Sequence, residues 1–153
     1  MSRRDQIKLT DTERAAFLQQ QRVVICATNG ARGWPHLMPL WYILREEEIW
    51  AWTYAKSQKV RNLERDPRVT LQIEDGESYD QLRGVMIEAQ TRLHHDLEVI
   101  VELGSELLAR YGEGSVTPEI EAAVRAQAPK RVGLQFVPQR TTSWDHRKLG
   151  GTY

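Results

Sequence analysis

The sequence predicts a small, mainly antiparallel β-barrel with a few short helices. Apolar and polar residues alternate over 68–74 and 83–94, which is the pattern of strands with one buried face. The first strands are joined by turns of a few residues, and such turns favour antiparallel neighbours because parallel strands need crossover connections. Residues 22–28 and 36–44 are apolar on both faces, as expected for barrel strands that also present an outer face to a partner subunit.

The first half of the chain alternates strands with sharp turns. Thr10 or Asp11 can cap a first helix, and the β-branched, apolar run that follows is typical of a strand. In the third predicted strand, Trp50, Trp52 and Tyr54 fall on one face. The predicted elements are a helix over 10–18, strands over 22–28, 36–44 and 48–54, and a short helix within 56–68.

The second half places a helical insertion before the closing strands. Apolar residues recur at helical spacing over 97–111, and Gly112 offers a stop. Thr117 followed by Pro118 is typical of a helix start. Pro138 is expected to separate the last two strands. The predicted elements are strands over 68–74 and 83–94, helices over 97–111 and 117–128, and strands over 130–137 and 140–147, with 83–94 the longest strand.

Size and charge limit the classes of function. The 153 residues predict a single domain over 1–153. The 21 basic and 21 acidic residues cancel, so no overall field attracts nucleic acid or an anionic membrane. The N-terminus has no signal-peptide core, no apolar run could span a bilayer, and the single cysteine, Cys26, lies in an apolar run typical of a buried strand. We therefore expect a cytoplasmic protein in which any anion-binding site depends on a local group of basic residues and not on the overall charge.

The segment 56–68 carries its charges in the order opposite to the one that a helix dipole favours. Lys56 and Lys59 lie near its start and Asp66 at its end, whereas a helix favours acids in its first turn and bases in its last. The free N–H groups of a first turn attract anions, so added lysines predict a phosphate site there. In the alternative interpretation, this is a solvated surface turn whose basic residues pair with nearby acids.

Three side chains are placed to act at the start of this helix. Ser57 can cap it, Lys59 can reach a phosphate from an exposed position, and Asn62 can point back to a ligand one turn later. We therefore predict phosphate binding in preference to a surface turn.

Two motifs resemble a known family. Gly-Trp-Pro-His-Leu-Met-Pro-Leu-Trp-Tyr at 33–42 and Ser-Gln-Lys-Val-Arg-Asn-Leu-Glu-Arg-Asp-Pro-Arg-Val at 57–69 are similar to the split β-barrel flavin and deazaflavin oxidoreductases related to pyridoxamine 5'-phosphate oxidase. The resemblance implies an FMN-binding-like split barrel that forms a homodimer, with FMN or coenzyme F420 in a groove between the subunits. The run Lys-x-Arg-Asn-Leu-x-Arg-Asp-Pro-Arg, which starts at Lys59, matches the F420-dependent branch. We therefore expect coenzyme F420 and hydride transfer to an unsaturated small molecule.

The resemblance also implies roles for individual residues. Lys59 matches the family's phosphate-binding lysine, and Asn62 matches the asparagine of the motif. Ser57 and Gln58 occupy positions that add phosphate contacts, and Lys56 can compensate for an arginine that this chain lacks. The ring system would lie beside the second and third strands, which can supply an apolar wall and a few hydrogen-bond groups. The residues predicted around the ring are Pro39, Leu40 and Trp41, together with Thr53, Gln72 and the backbone beside Pro39 as the hydrogen-bond groups.

Several alternatives stay open at this point. Residues 143–147 lack the Arg-x-His pattern by which the vitamin B6 oxidases hold their substrate, so pyridoxamine phosphate oxidation is not expected. FMN is the alternative cofactor, and a cofactor carrier or a nucleic-acid-binding barrel is the alternative function, the latter disfavoured by zero net charge. His94 and His95 would point to opposite faces of a strand, so no metal site is predicted. No catalytic residue is assigned, and the proton can come from solvent or from a tyrosine such as Tyr42 or Tyr54.

Overall fold

The chain folds into one antiparallel sheet that is rolled into a split barrel, as described for residues 1–151 of a computed structural model. The strand order is β2-β1-β5-β6-β7-β4-β3. The predicted fold class, mainly β with small helices, is confirmed. The strands are β1 Val24–Asn29, β2 Pro35–Leu40, β3 Ile43–Arg45, β4 Glu48–Tyr54, β5 Arg68–Asp75, β6 Arg83–His94 and β7 Arg131–Asp145. The helices are α1 Arg3–Gln6, α2 Asp11–Gln20, α3 Gln58–Arg65, α4 Leu97–Tyr111 and α5 Pro118–Gln127, with single 3-10 turns at Tyr79–Gln81, Ala128–Lys130 and His146–Leu149.

The barrel interior is filled by alternating apolar side chains. Leu71 of β5 lies between Cys26 of β1 and Ile87 of β6 in the strand register, and all three are buried. Cys26 is only 1% exposed, and this burial raises the pKa of its thiol to about 12. The thiol therefore stays protonated at neutral pH, as expected for a buried strand residue.

The predicted single strand over 36–44 is wrong, because the chain changes edges within it. β2 pairs with β1 at one edge of the sheet, and β3 pairs with β4 at the other. Trp41 and Tyr42 cross between these edges. Tyr42 is fully buried, and its hydroxyl donates to the carbonyl of Leu18 at 2.6 Å. Its backbone N–H donates to the hydroxyl of Tyr111 at 3.0 Å, and Arg110 donates to its carbonyl.

The predicted break at Pro138 is also wrong, because β7 runs through it. Ala89 pairs with Pro138 and Glu88 pairs with Arg140, so Gln139 is an extra residue in β7. At such a bulge the missing N–H of proline removes no regular ladder bond. β7 has 15 residues against 12 in β6, so β7 is the longest strand.

The helical insertion covers the outer face of β4. Gly104 of α4 lies so close to the ring of Trp52 that an added Cβ would clash with it and with Val124 of α5. Trp50 and Trp52 are half-buried under the helices, whereas Tyr54 is 56% exposed. Within residues 1–151, no helix combines the length and apolar character needed to cross a bilayer.

Arg110 stabilises the chain where it crosses between the sheet edges. Arg110 donates to the backbone carbonyls of Leu18, Gln19, Gln21 and Tyr42. Arg110→Met leaves these acceptors without their charged donor, so the free energy of unfolding should fall by about 2–4 kcal/mol in urea titrations followed by circular dichroism.

The matched control is Arg125→Met, which removes surface ion pairs with Glu98 and Glu121. Exposed pairs contribute little, so this variant should lose less than about 1 kcal/mol. Equal losses in the two variants would contradict the role assigned to Arg110.

Candidate functional site

The start of α3 lacks the side-chain cap that other helices of this chain have. Thr10 and Thr117 accept hydrogen bonds from backbone N–H groups in the first turns of α2 and α5. Ser57 occupies the N-cap position of α3 with extended backbone, but its side chain makes no cap hydrogen bond. Its hydroxyl oxygen is buried and has no hydrogen-bond partner among the described residues. The first turn also contains no acidic residue, so its N–H groups are available to an anion.

Lys59 lies inside the barrel, so its predicted exposed position is wrong. The residue is 6% exposed, and its Nζ donates to the hydroxyl of Thr53 at 2.9 Å. Burial removes water from the ammonium group and lowers the pKa of Lys59. In the part of the chain that the structure describes, no carboxylate pairs with Lys59. Its neighbour Cys26 is no counter-ion, because that thiol is protonated at neutral pH.

Asn62 holds α3 against the barrel. It is fully buried, and its Nδ2 donates to the hydroxyl of Thr28 in β1 at 3.0 Å. Its Oδ1 accepts from Nε2 of Gln58 at 2.9 Å and from Arg65 at 3.3 Å. Because protein groups occupy its donor and its acceptor, Asn62 positions the helix, and its contact with a ligand stays a prediction.

Within residues 1–151, the basic residues at the start of the segment do not form the ion pairs that the surface-turn interpretation requires. Asp66 binds Arg68 at 2.8 Å and accepts from Asn29 at 2.9 Å, and the pKa of the Asp66 carboxyl is lowered mainly by the bond to Arg68. Lys56 and Arg61 are exposed and form no ion pair within residues 1–151. The basic residues at the start of α3 therefore keep their charge for other partners.

The residues predicted to contact the ring fall on different sides of the sheet. Thr53 faces the barrel interior beside Lys59, whereas Pro39 and Gln72 lie on the outer face, where both are paired with Ile25 of β1. Leu40 packs against the barrel core. A single chain thus gathers a first group of predicted residues around α3 and leaves a second group outside. The first group contains Lys56, Ser57, Gln58, Lys59, Asn62 and Thr53, and the second contains Pro39 and Gln72.

Trp41 lies apart from both groups, at the edge crossing. It is 52% exposed, and its ring stacks on Tyr111 of α4 with centroids 4.3 Å apart and planes 7° apart. Packing on the helical insertion therefore accounts for its position, and its predicted cofactor contact remains to be tested.

Arg131 lies near α3 and was not selected by the sequence analysis. Arg131 pairs with Tyr54 across β7 and β4, and its guanidinium carbon lies 3.8 Å from the centroid of the Tyr54 ring. Its Nε is buried and has no partner in the described residues. Its positive charge contributes to the lowered pKa of Lys59, after the larger effect of burial. No local motif marks this arginine, because only strand pairing brings it to the site.

Residues 10–145 match the family model described as pyridoxamine 5'-phosphate oxidase. The chain belongs to this family. The resemblance inferred from the two motifs is therefore confirmed, together with the split barrel.

Solved structures of similar proteins agree with this assignment. A conserved hypothetical protein from Mycobacterium tuberculosis is 42% identical, with coverage of 100% of this chain and 95% of that chain and a TM-score of 0.91. An F420 reductase is 22% identical over 83% of this chain and 94% of its own, with a TM-score of 0.64. A FAD-binding protein from Mesorhizobium loti is 16% identical over 89% and 94%, with a TM-score of 0.67. The last two likenesses concern the fold alone. No curated protein matches the sequence.

Because the amine of Lys59 is buried, replacing this lysine should change how the stability of the protein depends on pH. Because the folded pKa of Lys59 lies below the ordinary 10.5, the unfolded chain binds the proton more readily between these two values, and stability rises with pH across that window. Below this window, the folded protein bears the full free-energy cost of burying the charged amine. Lys59→Met should therefore be at least as stable as the unaltered protein at pH 7, and its relative advantage should shrink as the pH approaches 10.5.

Denaturant unfolding at several pH values measures this difference. The exposed Lys56→Met is the matched control and should change stability by less than about 0.5 kcal/mol at every pH. A large loss of stability in Lys59→Met at pH 7 would show that the amine stabilises the barrel.

Proposed function

We propose that the protein is an oxidoreductase that binds a phosphorylated, flavin-like cofactor, coenzyme F420, and transfers a hydride to an unsaturated small molecule. The observation that carries the proposal is the buried ammonium of Lys59, whose partner within residues 1–151 is a neutral hydroxyl. Buried charges in proteins are normally paired, because an isolated one loses its hydration without compensation. An anionic ligand group beside Lys59 supplies the missing counter-charge.

A phosphate fits the groups at the start of α3. Lys59 uses one of its three donors on Thr53, and the first-turn N–H groups have no side-chain acceptor. The hydroxyl of Ser57 reaches a ligand by rotation about a single bond, and Lys56 adds an exposed positive charge. These residues would hold and orient the cofactor, while the cofactor itself supplies the hydride chemistry.

The choice of coenzyme F420 over FMN rests on the motif that starts at Lys59. The absence of the Arg-x-His pattern that holds substrate in the vitamin B6 oxidases supports the same choice. In this chain, residues at the end of β7 make structural contacts. Asp145 binds Arg147 at 2.6 Å, and Ser143 accepts from the N–H of Leu9 at 3.1 Å. FMN is the alternative cofactor.

The two candidate proton donors differ in their surroundings. Tyr42 is excluded as a donor to substrate, because it is fully buried, its hydroxyl is bonded to Leu18 and burial raises its pKa. Tyr54 is exposed at the end of β4 and lies under Arg131. We assign Tyr54 or solvent as the proton source.

A homodimer would reunite the two groups of predicted residues. The outer face of β2 and β1 is apolar, with Leu37 58% exposed next to Pro39 and Ile25. Exposed apolar patches of this kind mark subunit interfaces. If this face packs against the α3 region of a second copy, Pro39 and Gln72 of one protomer border the phosphate site of the other. We therefore propose that the cofactor groove lies between subunits.

Titration of the cofactor-free protein tests the cofactor assignment. We expect coenzyme F420 to quench tryptophan emission at lower concentration than FMN does. Lys59→Met should weaken binding by at least about tenfold, because a charge-assisted bond to phosphate is lost.

Lys8→Met, at an exposed lysine near the N-terminus that pairs with Asp5, serves as the control and should bind normally. Tight FMN binding without F420 binding would select the alternative cofactor. Unchanged affinity in Lys59→Met would place the phosphate elsewhere, and binding without reduction of any acceptor would favour a cofactor carrier.

The dimer proposal has its own test. Leu37→Glu puts a charge on the outer face of β2 and should shift the sedimentation mass from two chains to one and weaken cofactor binding. The control is Leu97→Glu at the start of α4, because Leu97 is 47% exposed and Leu37 is 58% exposed. This variant should keep both the sedimentation mass and the cofactor affinity of the unaltered protein. A monomeric unaltered protein that still binds cofactor tightly would refute the shared groove.

A further inference from the structure

A cavity of about 390 Å³ lies between α3 and the turn that joins β1 to β2. We call it the hairpin cavity and define it by Arg32, Trp34, His36, Gln58 and Asn62. Its volume falls in the range of about 300–1,000 Å³ that small-molecule sites occupy. Two of its residues belong to α3, so it borders the helix whose start we assign to the cofactor phosphate.

Hydrogen bonds fix the walls of the hairpin cavity. The N–H of Gly30 donates to the carbonyl of Trp34 at 3.1 Å, and the N–H of Gly33 donates to the carbonyl of Gly30 at 3.0 Å. Gly33 has a φ of 81°, a conformation that favours glycine. Arg65 of α3 donates to the carbonyl of Asn29 at 2.6 Å and so ties the turn to the helix. The cavity is therefore preformed, which lowers the entropic cost of binding.

The lining suits a planar anion. The indole of Trp34 is 73% exposed and offers a flat face for stacking. Arg32 is exposed and forms no hydrogen bond or ion pair with any other residue of 1–151, so its planar guanidinium is available to a carboxylate. None of the described residues that line the cavity is acidic, and nearby Asp66 is neutralised by Arg68.

We propose that the hairpin cavity binds a planar, conjugated carboxylate, with its ring system on Trp34 and its carboxylate on Arg32. The assignment of this molecule as the hydride acceptor rests on the proposed function, whereas its binding does not. In that reaction, a hydride supplied by the reduced cofactor would add to one atom of the acceptor's double bond, and a proton from solvent or Tyr54 would add to the other. The acceptor would gain two electrons, and the cofactor would lose the same two.

Calorimetric titration of the cofactor-free protein with trans-cinnamate and with neutral cinnamamide tests the binding. We expect cinnamate to bind about tenfold more tightly than the amide, which corresponds to about 1.4 kcal/mol. Arg32→Gln should abolish this preference by weakening cinnamate alone. Trp34→Ala should weaken both compounds by a similar factor, because both stack on the indole.

Arg92→Gln is the matched control, since Arg92 is an exposed arginine on β6 that does not line the cavity. Its cinnamate affinity should stay unchanged. Equal binding of acid and amide to the unaltered protein, or unchanged cinnamate affinity in Arg32→Gln, would overturn the proposal.

Cofactor titration of the same variants separates the two proposals. Normal cofactor binding together with no cinnamate binding refutes the hairpin site and leaves the proposed function standing. Cinnamate binding that depends on Arg32 in a protein that binds neither cofactor supports the site and refutes the proposed function.

Discussion

The two-residue crossing at Trp41 and Tyr42 is the constraint on which the rest of the structure depends. It joins opposite edges of one sheet, so the backbone groups there have no strand to pair with and must be satisfied by other means. Arg110 and Tyr111 of α4 supply those hydrogen bonds. The helical insertion is therefore part of barrel closure, because without it the crossing would bury unpaired polar groups.

The same topology leaves β1 and β4 apart at the split, and α3 joins them. Asn62 bonds to Thr28 of β1, and Lys59 bonds to Thr53 of β4. An apolar side chain at position 59 could fill the barrel interior without the cost of burying a charge. Stability alone therefore does not account for a lysine there. The anionic ligand that we propose would account for it, because it would give the charge a partner.

Local signals in the sequence were sufficient for most elements. The Thr10 cap, the alternation of β6 and the helical spacing of α4 each act within a few residues, and the structure reproduces their bounds closely. The split between β2 and β3 has no such signal, because its apolar run is continuous and only the choice of partner strands divides it. The predicted strand break at Pro138 failed for a related reason. Whether a strand can continue through a proline depends on the bulge in its pairing with a neighbouring strand, here β7 with β6.

The candidate site shows the same limit. The charge order of segment 56–68 located the helix start, but a lysine within a charged run gives no sign that tertiary packing will turn it inward. Arg131 was missed because a strand partner, and no motif, brings it beside Tyr54. The sequence pattern thus identifies groups that can bind an anion. The tertiary structure determines how far each of these groups is removed from water.

Desolvation would link the stability of the barrel to the binding of the proposed ligand. A ligand that binds only the folded state stabilises it by RT ln(1 + [L]/Kd), about 2.7 kcal/mol at roughly 100 times Kd. The buried ammonium lowers the stability of the ligand-free barrel and strengthens the attraction for an anion, since both effects arise from the same loss of water around Lys59. The hydrogen bonds of Asn62 and Arg65 keep α3 in place despite the free-energy cost of burying the Lys59 ammonium. A site of this kind gains affinity because it does not have to be dehydrated or assembled when the ligand arrives.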